Sequence, residues 1–340
     1  MKLLILTQKV NQNDAILGFF HRWIIEFAKH CESVIVVCLE KGEYDLPENV
    51  TVLSLGKDSD ATKFAYTKSF YTYIWKYRKE YDSVFVHMNP EYLVLGGLFW
   101  KLLGKKVALW YTHKSVDLKL RIAEKMVHTI FSASRKSFRL KSKKLKITGH
   151  GIDTDLFRPA KTKKANSDKK ILLQVGRVAP CKNQEISIKL LFKLIKKDVD
   201  AVLWIVGVPV TEEEIEYEKA MKVLVSDLSL GHRVVWKGAM PNTDLPKVYN
   251  SADIILNFST TGSMDKDVLE GMSCNRLVLT INEAYKEAVP SVYFSKQDGV
   301  LSDRVIAVLG GAEVVRSRDI IVSEHSLPSL IKGIIERYGV

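Results

Sequence analysis

The chain has 340 residues, of which 46% are hydrophobic and 26% charged, and its mean hydropathy is −0.02. This composition excludes disordered, collagen-like and polytopic membrane proteins, and the length favours two globular domains over one. The formal net charge of +12 is a local feature, because residues 101–150 hold 14 Lys and Arg against 2 Asp and Glu and the remaining blocks cancel.

In the first half, short apolar runs of buried-strand length are separated by longer segments with helical spacing. Strands are predicted at residues 3–6, 34–39, 84–86, 107–110, 130–132 and 145–147. Helices are predicted at 17–29 and 64–80. Strands buried on both faces and separated by helices predict an α/β fold with a doubly wound parallel sheet.

A polar, basic stretch then interrupts this alternation and predicts a linker at 161–170, between an N-terminal domain over 1–160 and a C-terminal domain over 171–325. In the second domain strands are predicted at 171–175, 201–206, 233–236, 253–258 and 277–280. Helices are predicted at 185–196, 212–228, 244–250 and 267–274. The last segment, 326–340, contains an amphipathic helix that must dock on another surface.

The turn after the first strand of the second half has the residues that a phosphate site needs. Gly176 allows close approach to the backbone, and the helix that follows presents free N–H groups. Arg177 and Lys182 bring two positive charges within reach of one diphosphate. A solvated loop with incidental charges is the alternative.

Four segments between residues 149 and 274 match, in order, the motifs of one family. Residues 149–159 (GHGIDTDLFRP) are similar to the signature NGVDxxxFxP, and 176–183 (GRVAPCKN) to G-R-x-x-x-x-K-N. Residues 235–253 are similar to VxFxG followed by LxxxYxxAD, and 268–274 (VLEGMSC) to VLEAMACG. The chain therefore resembles the retaining GT-B glycosyltransferases of family 4, the glycosyl transferases group 1, more weakly in its first half.

The resemblance implies a GT-B architecture, in which two Rossmann-like domains face a central cleft and the C-terminal helix packs back on the first domain. It also implies a hexosyltransferase that uses a UDP- or GDP-sugar with retention and without a metal. Arg177 and Lys182 would bind the donor diphosphate and stabilise it as leaving group. Glu270 would hydrogen-bond the ribose. The other implied donor contacts are Gly176, Leu269 and the backbone at Gly238, Ala239 and Met240.

One position departs from the family pattern. Gly262 stands eight residues before Glu270, where the family has a glutamate at the donor sugar. Either Asp265 or Lys266 takes over part of that role, or the sugar is held differently. Free N–H groups between Gly262 and Lys266, including those of Ser263 and Met264, would bind sugar hydroxyls or phosphate.

Strand ends in the first half supply the acceptor-side candidates. The loop after the first strand contains Asn13 and Gly18, and it resembles the family's glycine-bearing loop beside the donor phosphates and the acceptor. His87 and His113 each follow a predicted strand, and Lys114 comes next in the chain. His113 matches the family's active-site histidine, which implies a hydrogen bond to the transferred sugar. A structural role is the alternative for both histidines, and neither belongs to a pair with metal-site spacing.

The surplus positive charge lies in residues 114–146 and has three interpretations: a solvated face, a nucleic-acid patch or a contact with an anionic membrane. No groove-reading module accompanies it, so nucleic acid is not expected as a partner. Each Lys or Arg near an anionic leaflet contributes about 1 kcal/mol. The predicted helix at 64–81 adds aromatic residues among lysines. We therefore expect the first domain to approach a membrane, with a solvated face as the open alternative.

The sequence thus predicts a metal-independent retaining glycosyltransferase with a sugar or lipid-linked acceptor and no cofactor beyond its nucleotide-sugar co-substrate. The four cysteines form no CxxC pair, and the start of the chain lacks a signal-peptide core. We expect a cytoplasmic protein, peripheral on the inner face of the cytoplasmic membrane. A non-catalytic nucleotide-sugar-binding protein and a GT-B-type epimerase or phosphorylase are the alternatives.

Overall fold

The computed structural model describes residues 1–160, 169–286, 301–310 and 317–338. The chain forms two compact units: a first unit of Met1–Asp153 with Glu324–Val340, and a second unit of Thr154–Ser323. The boundary between the two units follows Asp153 and therefore comes earlier in the chain than the domain boundary expected at residue 160. Most of the predicted linker, 161–168, lies outside the described residues, and Lys170 already begins a strand.

The strands are β1 Lys2–Val10, β2 Ser33–Lys41, β3 Val50–Ser54, β4 Ser83–His87, β5 Lys106–Trp110, β6 Thr129–Ser132, β7 Leu145–Ile147, β8 Lys170–Val175, β9 Ala201–Val206, β10 Val234–Trp236, β11 Ile254–Asn257 and β12 Leu277–Thr280. The helices are α1 Phe19–His30, α2 Lys63–Lys76, α3 Glu91–Leu102, α4 Leu118–Met126, α5 Gln184–Ile195, α6 Glu212–Asp227, α7 Leu245–Ser251, α8 Lys266–Ser273, α9 Leu301–Leu309, α10 Ser317–Glu324 and α11 Leu327–Arg337. Within the described ranges, no helix is long and apolar enough to cross a membrane.

The first unit is built on a parallel sheet in the order β3-β2-β1-β4-β5-β6-β7. One face of this sheet packs on α1 and α11, where Phe20, Trp23 and Ile331 are buried. The other face packs on α2, α3 and α4. The expected packing of the C-terminal helix on the first domain is confirmed, since the backbone of Ile152 pairs with Ser326 at the start of α11.

The second unit is a parallel sheet in the order β10-β9-β8-β11-β12. Its core includes side chains from α5, α6 and α9, such as Ile188, Met221 and Val305. The segment that enters this unit is held by Arg318, whose guanidinium donates to the carbonyls of Phe157 and Ser273 at 2.8 and 2.6 Å. The predicted doubly wound α/β class is therefore present in both units.

The predicted strands and helices are all present, and the differences have local causes. The helix predicted to 80 ends at Lys76, because Tyr77–Glu80 continue as turns. The strand β3 was missed because it is short and only half-buried. The helix α3 was missed because it is apolar on both faces and contains Gly96 and Gly97, so no 3.6-residue period stands out.

Candidate functional site

A glycine follows each of three adjacent strands of the second unit within two residues. Gly176, Gly207 and Gly238 follow β8, β9 and β10 with φ of +134°, +136° and +69°, a region that favours glycine. A Cβ on Gly207 would lie 2.0 Å from the carbonyl oxygen of Gly176, whereas a Cβ on Gly238 would meet nothing within 4 Å. The turn after β9 is thus closely packed against the turn after β8, whereas the turn after β10 is open at Gly238. Sequence reasoning missed Gly207, although a glycine directly after a predicted strand was the available signal.

The loop between β8 and α5 is held by amide side chains. Gln184 Nε2 donates to the carbonyl of Arg177 at 2.9 Å, and Gln174 Nε2 donates to the carbonyl of Lys182 at 2.7 Å. Asn183, in the left-handed region with φ of +52°, donates through Nδ2 to the carbonyl of Phe258 at 2.9 Å. These bonds fix the backbone from which the two predicted phosphate-binding cations extend.

Each of those cations has a carboxylate partner. Lys182 Nζ lies 2.8 Å from Asp265 Oδ1, and both side chains are about 15% exposed. Arg177 Nη1 lies 2.7 Å from Glu214 Oε1 at the start of α6, and the other oxygen of Glu214 accepts from the N–H of Val210. The Arg177 side chain is 45% exposed, so its remaining donors are accessible. The sequence predicted the cations but not their partners.

The surroundings of Lys182 favour its charged form. Burial by itself lowers the pKa of this amine, but the carboxylates of Asp265 and Asp267 outweigh that effect and leave the pKa above its usual value. The side-chain stem also packs beside Gly176, where a Cβ would lie 3.6 Å from Cε of Lys182. A fixed, charged ammonium therefore stands next to the open glycine edge.

The turn between β11 and α8 carries the departure from the family pattern. Gly262 has φ of +66°, and Asn282 Nδ2 donates to the carbonyl of Ser263 at 2.8 Å. Asn257 Nδ2 donates to Asp267 Oδ2 at 2.8 Å and to Asp265 Oδ2 at 3.2 Å. Asp265 and Lys266 are the two residues expected to replace the missing glutamate. Of these, Asp265 is the one that contacts Lys182, and Asn257 holds its carboxylate in place.

One of the N–H groups expected to be free in this turn has a partner, which corrects that expectation. The N–H of Ser263 donates to Thr261 Oγ1 at 3.4 Å. The Tyr285 hydroxyl donates to the carbonyl of Asp265. Met264 is 5% exposed and Leu269 is fully buried, so their side chains belong to the interior rather than to an exposed donor surface.

Ionisable side chains are buried at the start of α8. Glu270, 5% exposed, accepts a hydrogen bond from the Tyr249 hydroxyl at 2.9 Å, and burial raises the pKa of its carboxyl. Burial lowers the pKa of Lys266 to about 7 although Glu270 attracts its charge, and burial raises the pKa of Asp267 to about 7. Perturbed pKa values in one cluster are typical of functional sites.

In the first unit the two candidate histidines have different environments. His87 is 3% exposed, its ring stacks on Phe20 with centroids 4.0 Å apart, and Nδ1 lies 3.3 Å from Thr7 Oγ1. These contacts favour the structural alternative for His87. His113 is exposed and accepts a hydrogen bond at Nδ1 from the N–H of Ser115 at 3.1 Å, and Lys114 beside it is also exposed.

The loop after β1 is ordered by side-chain contacts. Asn13 Nδ2 donates to Glu43 Oε2 at 2.8 Å. Asp14 Oδ1 accepts from the N–H groups of Ile16 and Leu17. Gly18, directly before α1, has an ordinary φ of −56°, but a Cβ there would lie 2.4 Å from the carbonyl oxygen of Asp14. Gly18 is therefore required by close backbone packing.

No cluster of three or more His, Cys, Asp or Glu suited to a metal ion occurs within the described residues. The carboxylates of the second unit instead pair with Lys182, Arg177 and amide side chains. The cations predicted to bind the diphosphate, the open glycine edge and the Asp265 turn are brought together in this unit. Asn13, His87, His113 and Lys114 belong to the first unit.

One family model matches part of this chain. Residues 158–303 match the family described as glycosyl transferases group 1, and the match lies within the second unit. No curated protein matches the chain.

Similar solved structures cover nearly the whole chain. HepE from Anabaena in complex with UDP and glucose is 16% identical with a TM-score of 0.79, covering 100% of this chain and 99% of its own. A glycosyltransferase from Rickettsia africae is 15% identical with a TM-score of 0.75, covering 99% and 97%. Sucrose-phosphate synthase from Thermosynechococcus elongatus is 14% identical with a TM-score of 0.75, covering 99% and 98%. These relatives share the GT-B fold, which confirms the expected fold class of two Rossmann-like domains.

Proposed function

We propose that this protein is a retaining, metal-independent glycosyltransferase that moves a sugar from a UDP- or GDP-sugar to an acceptor hydroxyl in the cytoplasm. The observation that carries the proposal is the charged ammonium of Lys182 beside the open, glycine-lined edge of the second sheet, with the partly exposed Arg177 on the same loop. The match of residues 158–303 to the group 1 family supports it.

In the proposed reaction the glycine edge lets the diphosphate approach the backbone, and Lys182 and Arg177 stabilise the charge that develops on the leaving group. The acceptor oxygen bonds to the anomeric carbon on the face from which the bond to the diphosphate oxygen breaks. The acceptor proton passes to an oxygen of the leaving phosphate, so no side-chain nucleophile is required. Glu270 hydrogen-bonds the ribose, and Asp265 hydrogen-bonds the sugar.

A second candidate, a nucleotide-sugar-binding protein without transferase activity, is favoured by one observation. Asp265 already compensates Lys182, and Gly262 supplies no carboxylate at the position of the family's first glutamate. A diphosphate would have to share Lys182 with Asp265. If the sugar were then held away from its reactive orientation, the protein would bind the nucleotide sugar without cleaving the bond between the sugar and the diphosphate.

The test is incubation with UDP-, GDP- and ADP-sugars while nucleotide release and thermal stabilisation are measured, with and without EDTA. We expect one donor to stabilise the protein and to release nucleotide, with EDTA having no effect and the product keeping the anomeric configuration by NMR. Arg177→Ala and Lys182→Ala should each lower turnover by about 10²–10³-fold, as removal of one charge-stabilising donor does. Lys189→Ala is the control, since this exposed lysine pairs with Glu185 on the same helix.

The outcomes separate the candidates. Stabilisation without release across the panel would support the binding protein, and near-normal turnover by both cation variants would remove the phosphate assignment. Loss of turnover on addition of EDTA would contradict metal independence.

A further inference from the structure

The helix α3 is apolar on its exposed face as well as on its buried face. Leu93 and Trp100 form part of its buried face. On its outer side Leu98 is 60% and Leu102 is 78% exposed, and Val94 and Leu95 are also exposed. Val94, Leu98 and Leu102 have i, i+4 spacing, and Leu95 precedes Leu98 by three residues, so these side chains lie on one stripe. A helix that is apolar all round is normally buried on every side. The composition of α3 therefore predicts that this stripe packs against another surface, yet its side chains are exposed.

Neighbouring helices extend the stripe into a patch. The Tyr71 hydroxyl of α2 donates to the carbonyl of Leu95 at 3.1 Å, and the ring of Trp75, 57% exposed, lies 5.9 Å from that of Phe99. At the start of α4, Leu118 is 71% exposed beside Lys119. We call the outward side chains of Trp75, Val94, Leu95, Leu98, Leu102 and Leu118 the α3 surface.

The rim of the α3 surface is basic. The Arg78 guanidinium lies 4.1 Å from the centre of the Trp75 ring, Lys101 is exposed on α3, and Lys119 pairs with Glu91 across α3 and α4 at 2.7 Å. Residues 63–126, which include α2, α3 and α4, contain 12 Lys and Arg against 5 Asp and Glu, a surplus of 12 − 5 = +7.

The basic segment 114–146 adjoins the same side of the first unit. Lys144 Nζ donates to the carbonyl of Glu124 near the end of α4 at 2.6 Å, and Ser142 donates to the Glu124 side chain. The buried ring of Phe138 belongs to the same core as α2, α3 and α4. Exposed basic residues of this segment include Arg139, Lys141 and Lys143. Apolar and cationic groups therefore share one side of the first unit.

We propose that the α3 surface binds the interface of an anionic phospholipid bilayer, with the leucines entering the boundary between headgroups and acyl chains and the basic rim contacting lipid phosphates. This assigns the apolar contact to α3, whereas the sequence had indicated only 114–146 and the helix at 64–81. In α2, Phe70 is buried and Tyr73 packs on the core, whereas Tyr71 and Trp75 contact α3. The proposal goes beyond the proposed function, since bilayer binding does not require sugar transfer.

The test is co-sedimentation of the full chain with phosphatidylcholine vesicles that contain or lack phosphatidylglycerol, at low and high salt. We expect binding to the anionic vesicles that salt weakens, because exposed charges are screened. Leu98→Glu and Leu102→Glu should each lower partitioning by about tenfold or more, since burying a leucine side chain contributes about 1.5–3 kcal/mol. Lys101→Glu should lower binding at low salt only.

Matched controls come from exposed positions of the second unit. Val223 on α6 is 59% exposed, so Val223→Glu introduces the same charge away from the α3 surface and should bind vesicles as wild type does. Lys219→Glu, at a lysine whose side chain is 65% exposed, is the control for Lys101→Glu. The thermal unfolding midpoint of each variant verifies that it is folded.

Three results would overturn the proposal. The first is that the wild-type protein does not bind anionic vesicles at low salt. The second is that the folded Leu98→Glu and Leu102→Glu variants bind vesicles as strongly as the wild-type protein does. The third is that the wild-type protein is a dimer that Leu98→Glu dissociates, while vesicles recruit neither the dimer nor the monomer. The last result would assign the α3 surface to a second copy of the chain. Each is independent of whether nucleotide is released from a donor, so a failure here leaves the proposed function standing.

Discussion

The ammonium of Lys182, which follows β8, lies 2.8 Å from the carboxylate of Asp265, which follows β11. The cation proposed to stabilise a leaving diphosphate is therefore already balanced by an acid of the same unit. A donor diphosphate at Lys182 would meet repulsion from Asp265 as well as attraction. Replacing Asp265 should therefore change the affinity for the donor and the rate of sugar transfer in opposite directions, and both can be measured on one variant.

Asp265→Asn should bind UDP several-fold more tightly than wild type while transferring sugar about tenfold more slowly or worse. Tighter binding follows because the neutral amide no longer repels the diphosphate, and slower transfer follows because the sugar loses a carboxylate acceptor. Calorimetric UDP titration and initial rates would measure the two effects. Asp227→Asn, at an exposed position at the end of α6, is the matched control. Unchanged UDP affinity together with a wild-type rate would contradict the role of Asp265.

Gly207→Ala should destabilise the second unit. The φ of +136° costs a side chain on the order of 1–3 kcal/mol, and the added Cβ would lie 2.0 Å from the carbonyl oxygen of Gly176. The variant should also lose UDP-induced stabilisation, because relief of that contact would displace the loop that carries Arg177. Gly231→Ala, where a Cβ meets nothing within 4 Å, should unfold at the wild-type temperature. Equal unfolding temperatures for the two variants in thermal scans would count against the close packing of the sheet edge.

The stability of the protein should depend on the protonation of Asp267. Burial raises the pKa of this carboxyl from 3.8 to about 7, so between these values the folded protein holds a proton that the unfolded chain releases. The stabilisation of the folded state that protonation of Asp267 provides is complete below about pH 4 and is lost as the pH rises through 7. The free energy of unfolding falls by up to about 1.4 kcal/mol per pH unit in this range. The side chain of the Asp267→Asn variant cannot ionise, so this variant does not lose that stability as the pH rises.

Urea denaturation from pH 4.5 to 7.5 measures this difference. The free energy of unfolding of Asp267→Asn, relative to wild type, should rise across the range, whereas that of Asp227→Asn should not. Parallel curves for wild type and Asp267→Asn would show that burial does not favour the protonated form of Asp267.

His113→Ala should slow sugar transfer by about 10–10²-fold and leave UDP affinity unchanged. Because Nδ1 of His113 accepts from the N–H of Ser115, the neutral ring carries its proton on Nε2, which makes that atom the donor toward a sugar hydroxyl. His113→Gln, which keeps an N–H donor, should recover part of the rate. His232→Ala, at an exposed histidine of the second unit, is the control. A wild-type rate for His113→Ala would leave this histidine with a purely local role in its turn.

Much of the fold could be predicted from local patterns. Buried strands such as β1 and β9 appear as apolar runs, and α11 shows a clear apolar stripe at Leu327, Leu330 and Ile334. The helix α3 has no polar face to reveal its period, so its existence and its exposed leucines emerged only from the structure. Periodicity detects elements with one buried face and fails for an element that is apolar on both.

The sequence by itself determined that two cations, Arg177 and Lys182, stand on a glycine-bearing turn after a strand, because strand ends and turn residues are local signals. Only the tertiary structure decided that Lys182 pairs with Asp265, Arg177 with Glu214, and that His87 is buried on Phe20. For the two ion pairs the physical reason is strand order: β8 lies between β9 and β11, so the turns after these strands meet at one edge although they are distant in the chain.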